Sequence, residues 1–146
     1  MWNLINLESK KLLTLCLKNS FTISLAESCA GGLISSAITH NPGSSEIYKK
    51  GYITYSNDSK IKELNVPSEI IKDHGAVSEE TSKKMLIGLL KLTNASVGIS
   101  VTGIAGPDGS TKNKPVGLVW ISYGSINSKL SKKFIFEGDR LDIRLK

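Results

Sequence analysis

The fold is decided by the stretch Thr22–Ile38, which reads TISLAESCAGGLISSAI. Thr22–Ala26 is a short β-prone run, Glu27–Gly32 is a turn of small residues, and Leu33–Ile38 has apolar residues at helical spacing. The order strand, small-residue turn, helix is typical of α/β proteins, in which one sheet lies between helices. We therefore expect the α/β class.

Further runs of β-branched and aromatic residues predict the remaining strands. They are Gly51–Tyr55, Val97–Val101, Val116–Tyr123 and Phe134–Phe136. Val116–Tyr123 is apolar almost throughout, so we expect a central strand that is covered on both faces. Together with Thr22–Ala26, these runs make five strands.

The stretches around these strands carry helix signals. An amphipathic helix is expected within Leu7–Lys18. Ser56 or Asn57 can cap a short helix that contains Lys60, and Ser78 can cap a longer one. The longer helix is expected to bury a stripe formed by Met85, Leu89 and Leu92.

Length and composition suit one domain that spans residues 1–146, with no internal repeat or linker. Apolar residues make up 40% of the chain and charged residues 22%, which excludes collagen, low-complexity disorder and a disulfide-built mini-protein. The two cysteines, Cys16 and Cys29, give no disulfide framework and fit a reducing compartment. Because the sequence shows neither a signal peptide nor an apolar run of bilayer length, we expect a cytoplasmic protein with no membrane partner.

The chain carries a net charge of +6, which raises the question of an anionic partner. Its lysines are scattered in pairs at most, and no arginine precedes Arg140. A basic nucleic-acid-binding factor is therefore disfavoured, because neither an arginine stripe nor an aromatic stacking face is present.

Histidine-based chemistry has little support. His40 and His74 are isolated, so we expect neither a metal site nor a cofactor that needs one. A Ser-His-Asp triad is poorly supported for the same reason, and no Gly-x-Ser-x-Gly elbow occurs.

Ser28 is the best candidate for a nucleophile. It lies between a predicted strand and a predicted helix that begins after Gly31-Gly32. Backbone N–H groups at such a helix start can hold an anion or an oxyanion. The alternative interpretation is that Ser28 only caps the helix.

A serine nucleophile needs a base, and with histidine scarce the choice falls on lysine. Lys60 lies near the first turn of the helix capped by Ser56 or Asn57, where the helix dipole and burial beside Tyr55 would lower its pKa. The alternative is an ordinary surface lysine.

Other residues near these positions leave alternatives open. Cys29 is a second possible nucleophile, although a buried spectator fits it better without a histidine partner. Glu27 is a possible local hydrogen-bond acceptor. The loop Thr102–Gly109 follows a predicted strand and is either plain turn chemistry or a site for a phosphate or sugar.

Seven short motifs, which cover the chain from about Leu7 to its end, together resemble one known family. The motifs are Ala26-Glu27-Ser28-Cys29-Ala30-Gly31-Gly32, Pro42-Gly43-Ser44-Ser45, Gly51 to Asn57, His74-Gly75-Ala76-Val77-Ser78, Thr102-Gly103-Ile104-Ala105-Gly106-Pro107, Lys114-Pro115-Val116-Gly117 and Gly138-Asp139-Arg140. They closely resemble the C-terminal domain of the competence/damage-inducible protein CinA, the nicotinamide-nucleotide amidase (PncC) family.

The resemblance implies a three-layer α/β/α sandwich with a mixed, mostly parallel five-stranded sheet. It also implies a metal-free amidase that converts nicotinamide mononucleotide into nicotinate mononucleotide and ammonia, in salvage of pyridine nucleotides. The implied partner is the small-molecule pyridine nucleotide itself, no cofactor is implied, and a homodimer is expected.

The resemblance also implies roles for individual residues. Ser28 matches the family's nucleophile and Lys60 its general base, with Tyr55 supporting proton transfer. The matching substrate-binding positions are Ala30, Gly31, Gly32, Ser45, Thr102, Gly103, Gly106 and Arg140. We expect backbone N–H groups around Ala30–Gly32 to hold the oxyanion.

Two features depart from the family pattern. The pattern continues past Gly138-Asp139-Arg140 through a full helix, whereas only Leu141–Lys146 follow here, so we expect a truncated final helix and a partly uncovered sheet face. Ala30 stands where many relatives have threonine. The alternative to an active amidase is therefore a catalytically degenerate nucleotide-binding module of the same fold.

Overall fold

The computed structural model describes all residues from Met1 to Lys146. It contains six α-helices, five strands and one 3-10 turn. In chain order these are α1 (Trp2–Asn19), β1 (Ile23–Glu27), α2 (Leu33–Thr39), the 3-10 turn (Ser44–Glu46), β2 (Tyr48–Ile53), α3 (Asn57–Leu64), α4 (Ser68–His74), α5 (Glu79–Thr93), β3 (Val97–Gly103), β4 (Leu118–Gly124), β5 (Lys129–Ile135) and α6 (Arg140–Leu145).

The strands form one mixed five-stranded sheet in the order β2-β1-β3-β4-β5. Strands β2, β1 and β3 are parallel, whereas β4 and β5 join by antiparallel pairing. Helices cover both faces, because side chains alternate along a strand and each apolar face needs its own cover. The predicted three-layer α/β/α architecture with a mixed sheet is confirmed.

The two faces of β1 show how the layers are built. Ile23 and Leu25 pack with residues of α1 and α2 on one face, and Ala26 packs with residues of α3, α4 and α5 on the other. All five residues of β1 are buried as a result. The layer of α1 and α2 also includes α6, whose Ile143 packs against Val101 and Val119.

The structure corrects several predicted elements. The second strand ends at Ile53, so Thr54 and Tyr55 lie in the loop that follows it. The fourth strand has neighbours on both sides but is only partly covered on its faces, since four of its seven residues are half-buried. Helix α4 was not predicted, since its seven residues bury only Ile71 and so carry little apolar periodicity.

The apolar stripe of α5 also differs from the prediction. Met85 and Leu89 are fully buried, as expected, but 46% of the surface of Leu92 is exposed. Leu86 and Leu90 lie in the core instead. The buried face of α5 is therefore rotated toward i+1 and i+5 relative to the predicted stripe.

The helical layer formed by α1, α2 and α6 leaves an open apolar groove. Its volume is about 830 Å³, and it runs between α1, α2 and α6 above the sheet. Ile34 and Ile143 line it from two of these helices, and Val119 lies on the sheet side. Part of this sheet face is therefore uncovered. None of the helices combines the length and the apolar content that a bilayer span requires.

The parallel strands bring three chain segments together at one edge of the sheet. In the register of the sheet, Glu27 at the end of β1 is opposite Ile53 and Val101. Ser28 and the loop after β2 therefore lie at the same carboxyl edge, where ligand sites of α/β sheets occur.

A close contact between α3 and α5 sets the position of α3, the helix next to this edge of the sheet. A Cβ atom added at Gly88 of α5 would lie 1.8 Å from the carbonyl oxygen of Leu64, the last residue of α3. Only glycine lets the two helix backbones approach this closely. Leu64 is fully buried at this contact.

We expect Gly88→Ala to destabilise the protein by about 1–3 kcal/mol through overpacking. The helix propensity of alanine acts in the opposite direction, at about 1 kcal/mol, but the clash is with backbone and cannot be relieved by a rotamer change. Urea unfolding of Gly88→Ala, with the exposed α5 substitution Lys91→Ala as control, measures the effect. Equal or greater stability of Gly88→Ala would contradict this account of the contact.

Candidate active site

Ser28 and Lys60 meet at the carboxyl edge of the sheet. Ser28 follows β1 directly, and Lys60 lies in the first turn of α3. The side chain of Ser56 caps α3 by accepting a 3.1 Å hydrogen bond from the Ser59 N–H. The Lys60 Nζ lies 3.0 Å from the Ser28 Oγ, and both residues are buried. Two positions that are 32 residues apart in sequence are thus in direct contact.

Two backbone carbonyls hold the Lys60 amine in a defined orientation. Its Nζ donates to the carbonyl oxygens of Thr54 at 2.8 Å and Tyr55 at 3.2 Å. A carbonyl oxygen can only accept, so each of these contacts uses one N–H of the amine. In a neutral amine, with two N–H bonds and one lone pair, the lone pair is left for the hydroxyl of Ser28.

Burial favours the neutral form of Lys60. Its side chain is among the largest fully buried ones, with 1% of the residue exposed, and no carboxylate lies within ion-pair distance. Burial lowers the pKa of Lys60 from 10.5 to about 8. The surface-lysine alternative is therefore wrong, and desolvation is the main cause of the lowered pKa.

Glu27, not Ser28, satisfies the start of α2. Its carboxylate accepts hydrogen bonds from the N–H groups of Gly32 at 2.8 Å and Ser35 at 2.8 Å, and from the Ser35 hydroxyl at 2.6 Å. The Ile34 N–H adds a fourth contact at 3.2 Å. The capping interpretation of Ser28 is wrong, and Glu27 is the local acceptor.

This arrangement changes which N–H groups are available for an oxyanion. The Gly32 N–H is bound to Glu27, and the Gly31 N–H donates to the carbonyl of Ser28 at 3.1 Å. The N–H groups of Cys29 and Ala30 donate to no oxygen in the structure and lie beside the Cys29 thiol, a weak acceptor, although both residues are buried. Unpaired buried N–H groups are rare. Of the N–H groups of Ala30–Gly32 that were expected to bind an oxyanion, only that of Ala30 therefore remains available, together with the neighbouring N–H of Cys29.

The thiol of Cys29 is not suited to act as a nucleophile. Burial raises the pKa of Cys29 to about 11, so the thiol is protonated at neutral pH. The sulfur lies close to β3, since a Cβ atom at Gly103 would be 3.0 Å from Sγ. Cys29 is a buried neighbour of Ser28.

Arg140 and Tyr55 lie together at the opening of the site. Arg140 donates from Nη2 to the Tyr55 hydroxyl at 2.8 Å and from Nη1 to the carbonyl of Gly106 at 2.6 Å. The Tyr55 side chain is mostly exposed, and its hydroxyl bonds neither Ser28 nor Lys60. Its backbone carbonyl makes the contact with Lys60 instead. Asp139 caps α6 and so fixes the first turn that carries Arg140.

Thr102 and Gly103 form the end of β3, where a loop was predicted to begin. The Thr102 hydroxyl is buried and donates to the carbonyl of Ala76 at 2.8 Å. Gly106 belongs to the following loop, which forms one wall of a cavity of about 530 Å³. Arg140 and Arg144 line the same cavity from α6.

The structure does not bring Ser45 to this site. Ser45 is exposed in the 3-10 turn that precedes β2. The first residue of β2, Tyr48, pairs with Ile23 at the start of β1. Because β1 and β2 are parallel, Ser45 lies at the opposite edge of the sheet from Ser28.

Sequence reasoning missed Arg144. Its Nε donates to the carbonyl of Cys29 at 3.2 Å and its Nη2 to the carbonyl of Ala30 at 3.1 Å. The available signal was its spacing, since Arg140 and Arg144 are four residues apart and lie on one face of a helix. No group of three or more His, Cys, Asp and Glu side chains is placed to hold a metal ion.

Comparison with known proteins agrees with this fold. Residues 6–146 match the model of the family described as the CinA C-terminal domain. The chain is 50% identical over 128 residues to a putative competence-damage inducible protein of Caldicellulosiruptor saccharolyticus and 48% identical over 132 residues to one of Clostridioides difficile. These matches cover 88% and 90% of this chain but 31% and 32% of those proteins, so the chain spans less than a third of their lengths.

Solved structures show the same fold. The competence/damage inducible protein CihA of Agrobacterium tumefaciens superposes with a TM-score of 0.94 at 38% identity, over 97% of this chain and 87% of that one. The competence damage-inducible protein of Klebsiella pneumoniae gives 0.93 at 28% identity, over 96% and 87%. With a family model that matches nearly the whole chain, these likenesses confirm the family expected from its motifs: the protein belongs to the CinA C-terminal domain family.

Proposed function

We propose that this protein is an amidase that hydrolyses the carboxamide of nicotinamide mononucleotide to nicotinate mononucleotide and ammonia. The observation that carries the proposal is the environment of the Lys60 amine, which is buried without a counter-ion. Two backbone carbonyls accept hydrogen bonds from the amine, and its third contact is with the Ser28 hydroxyl. This is the arrangement of a nucleophile with its general base. The family resemblance supplies the substrate.

The first half of the reaction forms an acyl-enzyme. Neutral Lys60 removes the proton of Ser28 while Oγ bonds to the carboxamide carbon. The unpaired N–H groups of Cys29 and Ala30 take the negative charge that develops on the carbonyl oxygen, an effect worth about 3–4 kcal/mol per donor in comparable sites. The C–N bond then breaks, and ammonia leaves with the proton that Lys60 carries.

The second half releases the acid. Lys60, neutral again, removes a proton from a water molecule that attacks the acyl carbon. The ester bond to Ser28 breaks, and Lys60 returns its proton to the Ser28 oxygen. The carboxylic acid so formed gives its remaining proton to the solvent and is released as the carboxylate, and the enzyme regains its starting protonation state.

The entrance suits the nucleotide part of the substrate. The guanidinium of Arg140 lies beside the cavity of about 530 Å³ that also contains Gly106 and Gly138. A planar guanidinium is well matched to a phosphate. Tyr55 shares a hydrogen bond with Arg140, so we assign its hydroxyl to substrate placement at the entrance, with proton transfer left to Lys60.

We expect Ser28→Ala to lower kcat for ammonia release from nicotinamide mononucleotide at least about a thousandfold, and Lys60→Met to lower it by about 10²–10⁴. Ser36→Ala and Lys62→Met are the matched controls, since both positions are exposed on neighbouring helices. Isothermal titration with the nucleotide should show that Ser28→Ala still binds. A folded wild type that binds the nucleotide without turnover would indicate the degenerate binding module instead.

The activity should rise with pH toward a plateau. A general base acts in its neutral form, and Lys60, with a pKa of about 8, is mainly protonated below that pH. We expect kcat/KM to increase about tenfold per pH unit below pH 8 and to level off above it. Lys62→Met should keep this profile, and a profile that is flat from pH 6 to 9 would rule out Lys60 as the base.

Stability offers a test of the same group without substrate. Unfolded lysine titrates near 10.5 and folded Lys60 near 8, so the folded state binds fewer protons between these values. The wild type should therefore gain up to about 3 kcal/mol relative to Lys60→Met as the pH rises from 8 to 10.5. Urea unfolding at both pH values measures the difference, and a constant difference would contradict the lowered pKa.

A further inference from the structure

We propose that Arg144 is a positioning residue that aims the oxyanion-binding N–H group of Ala30 at the reacting carbonyl. The inference rests on the proposed role of Ser28 as a nucleophile. It assigns a function to an arginine that the family motifs did not single out.

Arg144 donates hydrogen bonds to two consecutive peptide groups of the loop after Ser28. Its Nε donates to the carbonyl of Cys29 at 3.2 Å and its Nη2 to the carbonyl of Ala30 at 3.1 Å. In a trans peptide the C=O and N–H bonds point in opposite directions. The peptide that carries the Cys29 carbonyl also carries the Ala30 N–H, which therefore points away from the guanidinium.

The remaining hydrogen bonds of the loop leave the Ala30 N–H without an oxygen acceptor. The second of the two peptides carries the Gly31 N–H, and this group already donates to the carbonyl of Ser28. The Ala30 N–H lies beside the Cys29 thiol, a weak acceptor, and donates to no oxygen in the structure. The Cys29 carbonyl, which belongs to the same peptide group as this N–H, accepts a hydrogen bond from the Arg144 guanidinium. Such a charge-assisted hydrogen bond polarises the peptide group and makes its N–H a stronger donor.

The backbone of this loop needs external support. Gly31 and Gly32 have φ values of +63° and +95°, a region that costs little for glycine and that nothing in the local sequence enforces. Glu27 fixes the Gly32 side of the loop through its carboxylate. Arg144 fixes the Cys29–Ala30 side, and the absence of a side chain at Gly31 makes room, since a Cβ atom there would lie 3.1 Å from the Arg144 Nη2.

Arg144 and Arg140 have separate tasks. Arg140 bonds the Tyr55 hydroxyl and the carbonyl of Gly106 at the entrance. Arg144 spends its Nε and Nη2 on carbonyls of the nucleophile loop. Loss of Arg144 should therefore slow the chemical step, whereas Arg140 keeps its own contacts at the entrance.

The test is the rate at which a fluorophosphonate probe modifies Ser28, followed by intact-protein mass spectrometry. The Ser28 Oγ displaces fluoride at phosphorus, and the phosphoryl oxygen occupies the oxyanion position. We expect Arg144→Ala to lower the maximal modification rate about ten- to hundredfold, with an unchanged half-saturating probe concentration and an unchanged pH midpoint. Arg144→Lys should recover only part of the rate, because an ammonium cannot bridge both carbonyls.

Two controls separate positioning from damage to the fold. Lys146→Ala, an exposed position at the end of the same helix, should keep the wild-type rate. Millimolar guanidinium should restore modification of Arg144→Ala by occupying the vacated place, and it should not accelerate the wild type. Rescue identifies a folded protein that lacks only the guanidinium.

Three results would overturn the inference: Arg144→Ala modified as fast as the wild type, a loss that lies only in the half-saturating concentration, or no rescue by guanidinium. The proposed amidase function fails on a different result. A wild type that is modified at Ser28 but releases no ammonia from nicotinamide mononucleotide would remove the assigned substrate and leave the role of Arg144 standing.

Discussion

The burial of one lysine amine without a counter-ion is the constraint on which the site depends. A charged ammonium is costly to remove from water, and Lys60 has two carbonyls but no carboxylate beside it. The neutral amine avoids this cost, because it still donates to both carbonyls and also contacts the Ser28 hydroxyl. Parallel β1 and β2 bring the two loops together, and the contact of Gly88 with Leu64 holds α3, and with it Lys60, against α5.

Glu27 has a comparable effect on the other side of Ser28. A helix start normally offers its N–H groups to an anion, but here the protein supplies the anion from its own β1. The carboxylate occupies the start of α2, so the N–H groups that remain without an oxygen acceptor are those of Cys29 and Ala30, further back along the chain. The strand, the turn and the helix around Ser28 are thereby joined through one carboxylate.

Helix α6 contributes two arginines from a single face. Arg140 lies at the entrance and Arg144 one turn later against the loop of Ser28. Because Asp139 and Asp142 form a capping box at its start, this six-residue helix has a defined position despite its length. Its one buried residue, Ile143, packs on the sheet next to the open groove.

The sequence by itself determined the features that depend on neighbours along the chain. Strand, small-residue turn and helix around Ser28, the caps at Ser56 and Ser78, and the five strands could all be read from local patterns, as could the family from its motifs. Local patterns did not predict the exact strand limits, helix α4 or the exposure of Leu92. These features depend on tertiary packing more than on the propensity of the local sequence. Only the tertiary structure decided that the Lys60 side chain is buried and that Glu27, rather than Ser28, accepts hydrogen bonds from the first N–H groups of α2. It also decided that Arg144 bonds Cys29, which is 115 residues away in sequence, and that Ser45 lies at the opposite edge of the sheet from Ser28. The physical reason is that a pKa and a hydrogen-bond partner are set by desolvation and by segments distant in sequence, and no local pattern records which distant segment will arrive.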